Sequence, residues 1–159
     1  IKRPLSFGIS IFLILGILFG VIMLVLIIIC SGIALLANWN SMLLRGFVSD
    51  LKSELRAAEG IEIVETVSDY GKLNGNGNGI NFFGAVLVKA EDPDVLDTLV
   101  SLNKDFELLD YYKQEKREID LKYAQRAHLS FENLSPDYYV VWFYQSEHPM
   151  SNPLDIKGH

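Results

Sequence analysis

The chain has 159 residues, 20 of them acidic and 14 basic, for a formal charge of −6, and half of its residues are hydrophobic. An acidic chain with no visible basic patch is a poor ligand for nucleic acid or anionic lipid. Its single cysteine, Cys30, excludes an intramolecular disulfide.

Lys2 and Arg3 are the only charges ahead of residue 45, so the remainder of the chain carries −8. Residues 11–30 read IFLILGILFGVIMLVLIIIC, without a charge, an amide or a hydroxyl. About 20 apolar residues in a helix cross the ~30 Å hydrocarbon core of a bilayer. The apolar run continues to Ala37, and at ~1.5 Å per residue it predicts a helix about 40 Å long. That length exceeds the core, so the helix must tilt, protrude or pack against a partner. A cleavable signal peptide has an apolar region of about 7–15 residues. The predicted organisation is therefore a flank over 1–10, one transmembrane helix over 11–37 acting as a retained signal anchor, a domain over 38–145 and an extended tail over 146–159. Lys2 and Arg3 favour a cytoplasmic N-terminus with the domain outside, although Arg45, Lys52 and Arg56 dilute that bias. Trp39 stands where an interfacial aromatic is expected.

Gly16 and Gly20 form a GxxxG pair, with Gly8 two further four-residue steps back. Such notches let two helix backbones approach closely, which makes the pair the candidate helix-packing site. No ionisable side chain other than Cys30 lies in the span, so a proton or ion path through it is excluded.

Beyond the span, Leu44, Val48, Leu51, Leu55 and Ala58 recur in steps of four and three, predicting a helix over 41–59 with one apolar stripe. Gly60 follows as its C′ residue. Residues 61–67 (IEIVETV) read as a strand, and 68–79, ending in three Asn-Gly pairs, as a loop. That loop mimics half of a calcium-binding EF-hand, but Ala85 stands where the bidentate Glu belongs, so it is rejected as a metal site. Residues 80–90 are apolar on both faces, as in a central strand. Asp92 as N-cap and Pro93 at N1 open a second helix, with Val95, Leu96, Leu99 and Val100 as its buried face and Asn103 at its end.

Residues 105–114 read as a strand or an irregular segment, and Ile119, Leu121 and Tyr123 as a strand with one wet face. Residues 138–144 (YYVVWFY) form the strongest strand signal. Alternation there places Tyr138, Val140, Trp142 and Tyr144 on one face and Tyr139, Val141 and Phe143 on the other. Aromatics on both faces imply a central strand or a partner on one side. The candidate interaction surface is therefore Tyr139 and Phe143 together with the stripe Leu44, Val48, Leu51 and Leu55. The fold class is a single N-terminal transmembrane helix followed by a small α+β domain, an antiparallel sheet of four to five strands with two helices, in a ferredoxin-like arrangement or an open meander.

Catalytic signatures are lacking. There is no cysteine outside the span, no GxSxG elbow, no phosphate-binding glycine loop, and no HExxH or paired-Cys spacing. His148, Asp155 and His159 share the tail, but three scattered ligands do not make a site. Asn133-Leu134-Ser135 matches a glycosylation sequon and is followed by Pro136. No catalytic, cofactor or metal residue is assigned. The expected function is a non-catalytic, single-pass accessory or structural subunit of a membrane assembly, with the bilayer and other membrane subunits or a second copy as partners. Two other readings stand beside it. A pilin-like filament subunit shares the order of long apolar helix and α+β head, but lacks here the Glu near the helix start, and Lys2 and Arg3 would normally precede the processing site. An anchored ligand-sensing or enzymatic domain would assemble its site only on folding.

Overall fold

The computed structural model describes residues 5–73, 79–119, 124, 127–146 and 148–151, and for residues 5–11, 36 and 37 the backbone alone. Its elements are helix α1 (Leu5–Ala57), strands β1 (Ile61–Gly71) and β2 (Asn81–Ala90), helix α2 (Asp94–Ser101), and strands β3 (Leu108–Lys113) and β4 (Tyr138–Gln145). The chain divides into two units, residues 1–38 and 39–159.

Between Leu5 and Ala57 there is no proline, and α1 is one uninterrupted helix of 53 residues. The expected separation into a span and a second helix at 41–59 is corrected here. Asn38 and Asn40 have the chemistry of caps, but Asn38 Nδ2 donates back to Ala34 O at 2.8 Å and Asn40 is wholly buried. With these amides turned to other partners, nothing stops the helix until Gly60, whose φ of +78° suits a residue without Cβ.

In the first unit, residues 12–35 stand exposed apart from the half-buried Gly32. In the second unit an antiparallel sheet has the order β1-β2-β4-β3. The predicted central strands, β2 and β4, occupy the centre. Since β4 runs antiparallel to both β2 and β3, those two run parallel, with α2 as their connection. Strand β1 continues to Gly71, four residues past the predicted end, pairing Ser68, Asp69, Tyr70 and Gly71 with Gly84, Phe83, Phe82 and Asn81.

The sheet has a core on each face. On one, Leu44, Leu51 and Leu55 of α1 and Leu96 of α2 pack against Phe82, Val86, Val88, Val141 and Phe143. On the other, Phe83, Ala85, Leu87, Val140, Trp142 and Tyr144 are covered by Ile119, Ala124, Ala127 and Phe131 from the β3–β4 connection. The alternation read for 138–144 is the observed one. The connection itself is irregular, held by Phe131 N donating to Arg117 O at 3.0 Å and Ile119 N to Leu129 O at 3.2 Å. Of the strand expected at Ile119, Leu121 and Tyr123, the last two lie outside the described residues, as does most of the Asn-Gly loop.

Helix α2 begins one residue later than predicted, with Pro93 in the N-cap position. Asp92 still acts as a cap, its Oδ1 accepting from Asp94 N at 3.0 Å. Asn103 lies past the helix end, where its Oδ1 accepts from Asp105 N and Phe106 N and its Nδ2 donates to Phe106 O. It shapes the turn into β3.

Candidate functional site

The helix-packing pair lies in the first unit. A Cβ built on Gly16 or Gly20 meets nothing within 4 Å, so the chain makes no internal use of their small size. Around them Phe12, Leu13, Ile17, Phe19, Leu24 and Ile28 stand 57–78% exposed.

The candidate interaction surface is corrected by burial. Leu51, Leu55 and Phe143 are fully covered and Leu44 is 7% exposed. Val48 and Tyr139 are half-buried against the same core. Phe143 stacks on Phe106 at 4.7 Å and lies 6.0 Å from Phe47. The covering partner of these residues is the chain itself: the α1 stripe lies on the sheet and β4 is central. Each fully covered Leu contributes about 1.5–3 kcal/mol of apolar transfer, so these are stabilising residues and not a docking face.

Exposed apolar surface in the second unit lies elsewhere. A groove of about 330 Å³ is lined by Trp39, Met42, Gly46 and Phe47 of α1 and by His148 and Met150. Its far wall is the segment expected to be a loose tail. Trp39 Nε1 donates to Met150 O at 2.5 Å, and the His148 ring stands edge-on to Phe47 at 5.4 Å. Met150 N donates to His148 Nδ1, closing the turn. The signal for this groove was present in the sequence: Trp39, Met42, Gly46 and Asp50 recur in steps of three and four, as a second stripe beside the first.

A second groove lies between Ala57 and Ala58 at the end of α1 and Val95 and Leu99 of α2 with Leu102 just past it, and Glu54 stands on its wall. Burial, then the nearby Asp105 carboxylate that shares a hydrogen bond with it, then Asp50, raise the Glu54 pKa. Two features elsewhere tie elements together. Tyr111 OH donates to Asp97 Oδ1 at 2.8 Å, linking β3 to α2, and that bond leads the causes that push the phenol up to about 12.

The other tie is Glu65. The register of β1 shifts between Ile63 and Glu65, so Val64 is an extra residue and Glu65 pairs with Leu87. Without that bulge, alternation would aim Glu65 at the helix side. With it, the carboxylate reaches the β3–β4 connection, where it accepts from Glu132 N, Asn133 N and Asn133 Nδ2 at 2.9–3.1 Å. Burial raises its pKa, but those hydrogen bonds and the charge of Arg117 outweigh it and the net shift is downward. The sequon amide of Asn133 is thus already engaged by Glu65.

Among the described residues, no three His, Cys, Asp or Glu side chains are gathered to hold a metal ion. Asp155 and His159 lie outside them, so of the tail trio only His148 is placed. No protein-family model matches this chain, and no curated protein or solved structure matches it.

Proposed function

We propose that this chain is a non-catalytic, single-pass, membrane-anchored accessory or structural subunit, which meets other membrane proteins, or a second copy, through its apolar helix. The observation that carries the reading is the state of α1 in the first unit. From Phe12 to Leu35 its large side chains are apolar on every side and uncovered by the chain. In water such a helix would expose far more apolar surface than monomers tolerate; in a bilayer it is at equilibrium. Gly16 and Gly20, unused within the chain, supply the notch for a facing helix. Lys2 and Arg3 orient the signal anchor with its N-terminus in the cytoplasm and the domain outside.

The fold we propose for the second unit is a variant of the ferredoxin-like sandwich. In that fold two split βαβ units interleave, and the first strand lies between the third and fourth. Here β2-α2-β3 forms one such unit, and β4, last in the chain, takes the central place that the first strand has there. Helix α1 then corresponds to the first crossover helix and needs no strand before it, which leaves its N-terminal end available as an anchor.

A second reading, the pilin-like filament subunit, draws support from one observation: the apolar stretch and the sheet-packing stretch are parts of one unbroken helix. One experiment separates the two. The full chain is extracted in mild detergent and its state is read by native mass spectrometry and electron microscopy. A stoichiometric complex or small oligomer is expected, and it should dissociate when Gly16 and Gly20 are both replaced by Leu while membrane insertion is unchanged. Filaments would favour the second reading, and a monomer indifferent to the double substitution would overturn the first.

A further inference from the structure

Within residues 39–159, the large apolar side chains left exposed among the described residues are Trp39, Met42, Leu102, Leu134 and Met150. Three of these five converge on the α1 groove, at 37%, 54% and 55% exposure for Trp39, Met42 and Met150. Concentrated exposure of this kind marks a surface that normally meets something apolar. The groove is also built. Met150 is 111 residues from Trp39 in sequence and is held beside it by the indole hydrogen bond, while Ser151 N donates to His148 O at 2.8 Å to fix the turn. Gly46 leaves the helix wall open, with nothing within 4 Å of where its Cβ would be.

We propose that this groove takes a lipid acyl chain from the bilayer surface. The inference rests on the anchoring reading, because the tether selects the occupant. Trp39 follows Ala37, the last residue of the apolar run, by two positions, so the groove begins within a few residues of the hydrocarbon. Its chemistry suits that occupant. Tryptophan favours the boundary between headgroups and chains. Because the carbonyl of Met150 already satisfies the indole N–H, the ring can enter hydrocarbon without stranding a donor. Two methionines with flexible, polarizable side chains fit an occupant that has no fixed shape. The one acidic lining residue, Asp50, and the net acidity of the chain direct the choice to zwitterionic rather than anionic lipid.

The test uses the full chain in nanodiscs of phosphatidylcholine carrying a nitroxide on the upper acyl chain. In a Cys30→Ser background, single cysteines replace Met150, Met42, Leu102 or Leu24 and carry a small fluorophore. Leu24 reports the span, Met150 and Met42 the two walls of the groove, and Leu102 an exposed apolar position outside it. The expected result is loss of fluorescence at Leu24, Met150 and Met42 with none at Leu102. Loss at Leu24 alone would overturn the groove proposal and leave the anchor standing. Loss at none of the four would overturn both. Spontaneous disulfide dimers of the unlabelled Met150→Cys chain in the same discs would assign the groove to a second copy and overturn the lipid.

Discussion

Replacing Gly84 with Ala tests the packing that joins the two central strands. Gly84 of β2 stands directly opposite Phe143 of β4 in the register. A methyl at Gly84 would lie 2.3 Å from Phe143 Cε1, 2.8 Å from Cζ and 3.2 Å from Cδ1. The ring has nowhere to retreat: it is fully buried, stacked on Phe106 at 4.7 Å and flanked by Phe47 at 6.0 Å. Overpacking of this kind costs about 1–3 kcal/mol. Alanine recovers part of that, since glycine inside a strand is about 0.5–1 kcal/mol worse than alanine. A net loss of about 1–2 kcal/mol follows from those two ranges. At a urea m-value of about 2 kcal/mol/M, the unfolding midpoint should fall by roughly 0.5–1 M. The assay is equilibrium urea unfolding of the 41–159 fragment, followed by the fluorescence of Trp142, the single tryptophan of that fragment. Removing ring atoms with Phe143→Leu in the same chain should make the methyl tolerable, so the double variant should be more stable than the sum of the singles by about 1 kcal/mol or more. An unchanged midpoint for Gly84→Ala, or additive singles, would refute the argument.

The 41–159 fragment should unfold in one cooperative transition that neither EDTA nor reductant moves, because both sheet faces are covered from within the chain; thermal scans with and without each reagent check it. Leu51→Ala should cost about 2–5 kcal/mol of stability in that fragment, as expected for a fully buried leucine and not for a docking residue. Glu65→Gln should speed amide hydrogen exchange at Glu132 and Asn133. Because the folded carboxyl has the lower pKa, the stability it adds is present above the ordinary glutamate value of about 4.3 and is lost as pH falls through the folded value, so wild type and variant should converge in acid. For Tyr111 the sign is reversed. Its folded pKa is raised, so its contribution is complete below about 10 and lost as pH rises towards about 12, and Asp97→Asn should bring the phenol back down in an ultraviolet titration.

Much of this architecture was legible because its signals are local. The apolar run, the 4-3-4-3 stripe, Asp92-Pro93 and the alternation of 138–144 each record which face is buried, and a buried face is what composition reports. What was not legible depended on distant partners. The helix at 41–59 read as a separate element because the apolar run ends at Ala37, and only folding shows Asn38 bonded back to Ala34 and the helix continuing past it. Strand β1 was read four residues short because Ser68, Asp69 and Gly71 have turn chemistry; β2 holds them in register all the same. The bulge at Val64 turned Glu65 towards the β3–β4 connection, a change of face that alternation alone cannot register. As for candidate sites, Phe143 and Leu51 looked available for a partner only because sequence does not say which of several apolar faces meet each other. The groove at Trp39 needed a residue from the far end of the chain.

The central claim, one helix spanning a bilayer, is tested most directly on two portions of the same membranes, one washed with alkaline carbonate and the other kept sealed and treated with protease. The chain should remain in the membrane pellet, and mass spectrometry should recover one protected peptide containing residues 11–37, with the 41–159 region cleavable from one side only. Release of the intact chain by carbonate would contradict the account, as would a domain cleaved near Ala37 as the mature product.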